Sequence, residues 1–343
     1  MVRIGIIGCG AIARKRHAPA CAAHARTQLV GFADASVERA REMAEQYGCR
    51  AYESIEAMLS DAGIEAVCVC VPEQFHEDVV LKCFAAGKHV LLEKPMAMNV
   101  EESERIVEAW KKAGTRLMIA FSQRFYEEHI LAARLLREGS LGKAISFRSY
   151  LSNPGVEYAV YGADREFYDK RLKNIGGVMS NVGCHRIDLI RYIFDTEYDS
   201  VFAFTPALNK RFSDGSLIDR EDHAMLTLKL ENGVCGTLFT SWCNYGAPDV
   251  GTEIFCERGV IRTYDGEGVR VYRKDGGVTE YAVAHTQEDV DGFGVVNSFL
   301  DSMADGVQTC VTGYDGLICM RVLDAVERSN REGRWVLVAH ENE

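Results

Sequence analysis

The residue types and spacing at the start of this chain suit dinucleotide binding. The run Gly8-Cys9-Gly10-Ala11-Ile12-Ala13 fits the pattern G-x-G-x-x-G/A and follows a short β-branched run. Such a turn lets backbone N–H groups approach a pyrophosphate, and the helix start behind it adds partial positive charge. Asp34 ends the next predicted strand, and a carboxylate there accepts hydrogen bonds from ribose hydroxyls while repelling a 2′-phosphate. The pattern predicts NAD rather than NADP, with Arg39 interpreted as a surface residue; the alternative is a Gly-rich turn without a nucleotide.

Polar residues also follow two apolar runs that we predict to be parallel strands. The segment from Pro72 to His76 follows one run, and Glu93-Lys94-Pro95 follows the other. Ligands bind outside the carboxyl ends of parallel strands, so Lys94 is predicted to emerge where a nicotinamide would lie. Pro95 stiffens the backbone just after it. The alternative for a lone lysine at a strand end is a solvated charge.

A third group consists of Asn181, His185 and Asp188. Their spacing of four and three residues puts all three on one face of a helix. A histidine beside polar partners suits acid/base chemistry. The alternative is a core histidine satisfied by Asp188, with Asn181 capping the helix. The residues alone leave both interpretations open.

The elements that position these residues change character along the chain. Up to about residue 120, short apolar runs such as 2–7, 28–33 and 66–71 alternate with amphipathic helical patterns. This alternation predicts an α/β region whose parallel sheet is covered on both faces. After about residue 140, strand-like runs are separated by turn signals such as Asp275-Gly276-Gly277. They predict an α+β region with mainly antiparallel pairing.

Composition narrows the classes of function. The chain has 343 residues, of which 47% are hydrophobic and 26% are charged, as in ordinary globular proteins of about two domains. Its net charge of −11 repels phosphate backbones, so we predict no nucleic-acid partner. Neither a secretion signal nor an apolar stretch of roughly 18 residues is visible, so we predict a cytoplasmic protein without a membrane partner. The 12 cysteines lie mostly in apolar runs without zinc-site spacing, so we predict reduced thiols and no metal site.

Together these motifs make the sequence resemble the glucose–fructose oxidoreductase / inositol dehydrogenase / rhizopine catabolism (Gfo/Idh/MocA) family. The resemblance rests on the N-terminal glycine turn and the segment from Pro72 to His76. It also rests on the strings Ala86-Gly87-Lys88-His89-Val90-Leu91-Leu92-Glu93-Lys94-Pro95, Phe121-x-x-Arg124-Phe125 and Gly176-Gly177…Gly183-x-His185-x-x-Asp188-Leu189. It implies a Rossmann NAD-binding domain at 1–122. It also implies a substrate-binding and oligomerisation domain at 123–343, with a large, mainly antiparallel sheet that forms a homodimer or homotetramer.

The resemblance further implies an enzyme that transfers a hydride between nicotinamide and a secondary alcohol or ketone of a sugar, inositol or related polyol. The residues implied for catalysis are Lys94, His185 and Asn181. Those implied for the cofactor are Gly8, Gly10, Ala11, Ile12, Asp34, Pro72, Glu73, His76, Glu93, Lys94 and Ser122. The candidate substrate contacts are Lys94, Arg124, Tyr150, Tyr161, Arg165, Asn181 and His185, with loop packing as the alternative for Tyr150, Tyr161 and Arg165.

The sequence departs from the family pattern at two of these positions. Asn181 stands where the family usually has Asp, and Glu73 stands where it usually has Asn. An amide can orient an imidazole but cannot stabilise an imidazolium by charge, so more of the proton transfer is predicted to fall on Lys94, with Asp188 as a candidate to compensate. Two other functions stay open, a glycoside hydrolase or lyase that uses NAD transiently and a non-catalytic NAD- or sugar-binding regulator. Retention of Lys94 and His185 argues against the regulator.

Overall fold

The computed structural model describes residues 1–155, 169, 176–247 and 249–339. The chain forms two compact units, Met1–Ser122 with His285–Met320 and Gln123–Ala284 with Arg321–Glu343. The segment 285–320, which the domain prediction placed in the second domain, thus belongs to the first unit. The functional boundary between residues 122 and 123 stays a prediction.

Strands and helices are numbered here along the described part of the chain. The strands are β1 Val2–Ile7, β2 Thr27–Ala33, β3 Arg50–Ala51, β4 Ala66–Val69, β5 His89–Leu92, β6 Leu117–Ile119, β7 Ala144–Ser152, β8 Tyr198–Phe204, β9 His223–Leu230, β10 Cys235–Ser241, β11 Asp249–Cys256, β12 Gly259–Asp265, β13 Gly268–Arg273, β14 Val278–Ala282 and β15 Val336–Leu337. The α-helices are α1 Ala18–Ala23, α2 Val37–Tyr47, α3 Ile55–Leu59, α4 His76–Ala85, α5 Val100–Ala113, α6 Glu127–Arg137, α7 Cys184–Phe194, α8 Gln287–Asp291, α9 Gly294–Asp305 and α10 Gly313–Glu332. Two π-helical turns, Ala13–His17 and Met179–Gly183, lead directly into α1 and α7.

The first unit is built on a parallel sheet. Its six strands in the described residues lie in the order β3-β2-β1-β4-β5-β6, and each neighbouring pair is parallel. Every residue of β4 and β6 is buried, which explains their continuous apolar sequences. The predicted Rossmann-like architecture is confirmed.

Local signals set the ends of its helices. Ser36 caps α2 by accepting a hydrogen bond from the N–H of Arg39, and Gly48 ends it in the left-handed conformation. Asn99 caps α5 in the same way, and Gly114 closes that helix. Polar caps and glycine stops of this kind are local sequence signals for the ends of helices.

The second unit is built on a mixed sheet. Within the described residues it has nine strands in the order β14-β13-β12-β11-β7-β10-β9-β8-β15. The pair β7–β10 is parallel, and the others are antiparallel. Helix α7 packs on one face of this sheet, where Phe194 meets Phe147 with ring centroids 5.1 Å apart. The predicted, mainly antiparallel sheet is confirmed; the parallel pair at its centre was not predicted.

In the part of the chain that the structure describes, no helix has the length and apolar character needed to cross a membrane.

Candidate active site

The glycine turn lies between the end of β1 and the helix that begins at residue 11. Gly8 has a φ of +95°, and a Cβ at this position would lie 2.7 Å from the backbone of Cys70. Only glycine fits such a place without strain. A Cβ on Gly10 would meet no atom within 4 Å, so the backbone there is open to close approach. The N–H groups of Ala11 and Ile12 belong to the first turn of the helix, where no intrahelical acceptor exists.

Asp34 links this turn to the end of β2. Its carboxylate accepts the N–H of Cys9 at 2.7 Å and the N–H of Ser36 at 2.8 Å. Arg39 donates to the same carboxylate from Nε at 3.1 Å and from Nη2 at 2.6 Å. Burial alone would raise the pKa of Asp34, but these hydrogen bonds outweigh it and hold the pKa below its ordinary value. The interpretation of Arg39 as a mere surface residue was therefore incomplete, because its guanidinium reaches Asp34 from the first turn of α2.

Lys94 follows β5, and the residue before it is held firmly. The carboxylate of Glu93 lies 2.8 Å from His17 Nε2 and 3.7 Å from Arg16 Nη1. Its second oxygen accepts the backbone N–H of Lys94 at 3.1 Å. Burial alone would raise the pKa of Glu93, but the hydrogen bond and attraction from His17, with the charge of Arg16, hold it well below its ordinary value. The side chain of Glu93 is thus a buried carboxylate that fixes the backbone of Lys94.

The residue after Lys94 is held as well. The buried ring of His76 lies 2.9 Å from the carbonyl oxygen of Pro95 through Nδ1 and 2.9 Å from that of Val71 through Nε2. It therefore joins the segments that follow β4 and β5. Burial lowers the pKa of His76, although the two carbonyls act in the opposite direction. His76, predicted as a cofactor residue, has a positioning role in the structure.

The remaining predicted cofactor residues lie near this edge of the sheet. Pro72 is exposed and Glu73 is half-buried just after β4, while Ser122 is buried just after β6. The open backbone at Gly10 and the carboxylate of Asp34 beside the turn fit a dinucleotide with a free adenosine ribose. Backbone amides and a helix start, rather than a basic patch, explain how an acidic protein could hold a pyrophosphate.

In the second unit, the π-helical turn before α7 begins against the half-buried carboxylate of Glu221. Glu221 accepts the N–H of Met179 at 3.1 Å, and its backbone oxygen accepts the N–H of Val178 at 2.9 Å. A Cβ on Gly177 would overlap this carboxylate, so a larger residue there would displace the Glu221 side chain. Burial raises the pKa of Glu221 above its ordinary value. This contact sets where the segment carrying Asn181 and His185 begins.

The three predicted residues Asn181, His185 and Asp188 differ in burial, and their alignment on one face stays a prediction. Asn181 and His185 are both half-buried, whereas Asp188 is buried. Asp188 receives two hydrogen bonds from Arg124, at 2.8 Å from Nε and 2.5 Å from Nη2. Asp188 is therefore a partner of a buried guanidinium, and its compensation for the missing family Asp stays a prediction. The same pair gives Arg124 a structural partner, and its substrate contact stays a prediction.

A second buried guanidinium lies beside His185 in the sequence. Arg186 donates to Ser149 Oγ, Gln123 Oε1 and the carbonyl oxygen of Gly251, all neutral acceptors. Burial lowers its pKa to about 10. Because Arg186 reaches the sheet through Ser149 of β7, residue 149 faces α7.

The next residue, Tyr150, therefore faces away from α7, since side chains alternate along a strand. The guanidinium of Arg148 lies over its ring at 5.5 Å, on that outer face. Burial raises the pKa of Tyr150. Tyr150 therefore lies on the face of the sheet opposite to α7, the helix that carries His185. Tyr161 and Arg165 lie outside the described residues, so their substrate contacts also stay predictions.

Sequence reasoning missed two side chains that position this chemistry. His17 is fully buried beside Glu93, and Glu221 sets the start of the His185 helix. The spacing Ala13, His17, Cys21 carries a signal for the first, because it puts His17 on the buried face of its helix. Glu221 had no such signal, since it comes from a distant loop.

One group in the described residues could bring metal-ligand atoms together. One ligand atom each from Asp222, His223 and Cys243 lie within 4.8 Å of one another. The Asp222 carboxylate, however, already accepts the backbone N–H groups of residues 208–210, and His223 Nδ1 lies 2.7 Å from it. These hydrogen bonds show that the Asp222 carboxylate holds the loop at residues 208–210 in place, which explains the cluster without a metal ion.

Comparison with known proteins agrees with this architecture. Residues 2–121 match the model of the oxidoreductase family with an NAD-binding Rossmann fold, and residues 129–262 match the GFO/IDH/MocA C-terminal domain. The chain is 27% identical to myo-inositol 2-dehydrogenase of Thermotoga maritima, over 98% of both chains. It is 28% identical to glucose-6-phosphate 3-dehydrogenase of Bacillus subtilis, over 71% of this chain and 69% of that one.

A solved structure of levoglucosan dehydrogenase with NADH and levoglucosan has the same fold. Its TM-score is 0.86 at 22% identity, over 98% of this chain and 99% of that one. Both domain models of one family thus match consecutive parts of the chain. The chain belongs to the GFO/IDH/MocA family of NAD-binding oxidoreductases, and the cofactor of its first unit is NAD.

Proposed function

We propose that this protein is a dehydrogenase that transfers a hydride between NAD and a secondary alcohol or ketone of a sugar, inositol or related polyol. One observation carries the proposal: the glycine turn after β1, Asp34 after β2 and Lys94 after β5 lie at the carboxyl ends of strands in one parallel sheet. That edge is where this fold binds its ligands. The named activities of the relatives, on inositols and a sugar phosphate, support the substrate class.

Lys94 is proposed as the residue that exchanges a proton with the substrate hydroxyl. Glu93 and His76 hold its backbone on both sides, which fixes where its ammonium group can reach. When bound, NAD supplies the hydride acceptor. His185 is proposed to bind the same hydroxyl or share the proton, and Asn181 to hydrogen-bond substrate or imidazole. Because the amide of Asn181 cannot stabilise an imidazolium by charge, proton exchange is proposed to depend on Lys94 more than on His185.

The test is a panel of sugars and polyols with NAD and with NADP, recorded by absorbance of the reduced nicotinamide. Lys94→Met should lower turnover by about 10²-fold or more while NADH still binds. The control is Lys82→Met, an exposed lysine of α4 that should behave as wild type. Retained turnover in Lys94→Met would remove its proposed role. Substrate conversion without net NADH formation would favour transient redox chemistry instead.

We also propose that the outer face of the second unit's sheet joins copies of this chain into a homodimer or homotetramer. Strand register puts Phe204, Met225, Phe239 and Tyr150 side by side across β8, β9, β10 and β7. The first three are 55%, 41% and 38% exposed, an apolar row unlike the surface of most monomers. A second copy suits this face, because the neighbouring row of Arg148, Glu253 and Arg262 offers both charges for self-complementary pairing.

The oligomeric state tests this surface. Met225→Asp should shift the protein towards monomers in sedimentation velocity, since it buries a charge in the apolar row. Val290→Asp, on an exposed position of α8, is the control. A wild-type monomer at micromolar concentration would refute the proposal.

The predicted cytoplasmic location stays a prediction.

A further inference from the structure

The guanidinium of Arg16 lies behind the segment that carries Lys94. Arg16 belongs to the π-helical turn that follows the glycine turn, and its side chain is only 14% exposed. Its Nη1 is 3.7 Å from Oε1 of Glu93, and the other oxygen of that carboxylate accepts the backbone N–H of Lys94. Arg16 therefore supplies a permanent positive charge to the carboxylate that holds the backbone of Lys94.

A segment far along the chain fixes this guanidinium. Asp291 is the last residue of α8, and its carbonyl oxygen accepts a hydrogen bond from Arg16 Nε at 3.0 Å. Carbonyl groups in the last turn of a helix lack intrahelical partners, so this oxygen needs an outside donor. The next residue, Gly292, has a φ of +73°, and a Cβ there would lie 2.9 Å from both Nε and Nη2 of Arg16. The guanidinium thus lies against bare backbone, and a larger residue at position 292 would push against it.

The end of α8 is itself well anchored. Thr286 and Asp289 form a capping box at the start of this helix, and the N–H of Gly292 donates to the carbonyl oxygen of Asp289 at its end. Phe293, which follows directly, is buried. All these residues belong to the same compact unit as Arg16. The groups that hold the guanidinium are therefore fixed parts of the first unit.

Removal of the Arg16 charge should loosen the Lys94 segment. A buried carboxylate is costly without positive partners, so Glu93 would take up a proton or turn away from the N–H of Lys94. We propose that Arg16 is a positioning residue of the reaction, because its guanidinium keeps the Glu93 carboxylate against the backbone of Lys94. Asp291 and Gly292 fix the guanidinium in the place that this requires. The inference rests on the proposed role of Lys94 in proton exchange.

The first measurement is steady-state kinetics of Arg16→Met with NAD and the best substrate of the sugar and polyol panel. Its kcat should fall by about tenfold or more, because small displacements of a catalytic group are costly. Its Kd for NADH should stay within about twofold of wild type, since the glycine turn and Asp34 are untouched. Arg16→Lys keeps a charge and should recover part of the lost kcat. The control is Lys15→Met, whose 64% exposed side chain pairs with Asp291 and should leave kcat within about twofold of wild type.

A second variant approaches the guanidinium from the other side. Gly292→Ala should lower kcat by about threefold or more, because its Cβ displaces the guanidinium. Gly306→Ala is the matched control, since Gly306 also follows a helix with a φ of +69° but its Cβ would meet no atom within 4 Å. The double variant of Arg16→Met and Gly292→Ala should lose no more kcat than Arg16→Met alone, because Gly292 acts through Arg16. If Arg16→Met fails to fold, Arg16→Lys and Gly292→Ala still decide the question.

An NMR measurement separates this inference from the proposed function. Lysines are methylated reductively with isotope-labelled formaldehyde, and the Lys94 signal is assigned by its absence in Lys94→Met. Arg16→Met should shift this signal, whereas Lys15→Met should leave it in place. An unchanged signal, a wild-type kcat in Arg16→Met beside an inactive Lys94→Met, or a rise of the NADH Kd as large as the fall in kcat would overturn the inference. Retained turnover in Lys94→Met would instead overturn the proposed role of Lys94.

Discussion

The buried pair of Arg124 and Asp188 allows a structural role of Arg124 to be separated from substrate binding. Their side chains are 8% and 1% exposed, and two parallel hydrogen bonds join them. Removal of one partner of a buried ion pair typically costs about 3–5 kcal/mol of unfolding free energy. Replacement of both by apolar side chains of similar volume is often close to neutral. Arg124→Met and Asp188→Leu should therefore each destabilise strongly, whereas the double variant should recover much of the loss.

The assay is a double-mutant cycle measured by urea unfolding. With a denaturant slope of up to about 3 kcal/mol/M, each single variant should lower the midpoint by about 1 M or more. The coupling energy should reach about 2 kcal/mol or more. The exposed pair of Arg134 on α6 and Glu138, which follows the last residue of that helix, is the control cycle, with coupling below about 0.5 kcal/mol.

Two outcomes would refute this reasoning. Additive losses in the cycle would mean that the two side chains do not act as a pair. A stable Arg124→Met variant with a tenfold or larger rise in substrate KM would show instead that Arg124 contacts the substrate, as the resemblance implied. The structural role requires both a large coupling energy and an unchanged KM in the folded fraction.

Three further predictions concern the turn, the acid response and the start of α7. Gly8→Ala should abolish NADH binding in a fluorescence titration, because residue 8 has a φ of +95° and its Cβ would overlap the backbone of Cys70. Gly48→Ala is the control: its φ is +63°, its Cβ would meet no atom within 4 Å, and NADH binding should stay unchanged. Burial lowers the pKa of His129 to about 3, so the unfolded chain binds the extra proton between about pH 6.5 and 3. The unfolding free energy should therefore decrease as the pH is lowered through this range, by up to about 1.4 kcal/mol per pH unit from this group. The urea midpoint of His129→Gln should decrease less steeply than that of wild type over the same range. Gly177→Ala should lower the melting temperature because its Cβ overlaps Glu221, and adding Glu221→Ala should restore part of the loss; no restoration would contradict that contact.

Much of this protein could be predicted from sequence because the relevant signals are local. The glycine turn, the apolar runs and the caps at Ser36 and Asn99 each depend on residues within one or two turns of each other. These signals determined the parallel sheet, the change to antiparallel strands and the carboxyl-end position of Lys94. The pairing of β7 with β10 escaped prediction, since a parallel pair far apart along the chain leaves no turn signal.

The tertiary structure decided which partners the polar side chains have. Asp188 is bound by Arg124, 64 residues away, and Glu93 by His17, 76 residues away. Packing also put Tyr150 on the outer face of its sheet and turned Arg39 back onto Asp34. Sequence spacing shows which side chains share one helix face or strand face. It does not show which distant carboxylate a buried cation meets, because that depends on how whole elements pack and on the need to pair buried charges.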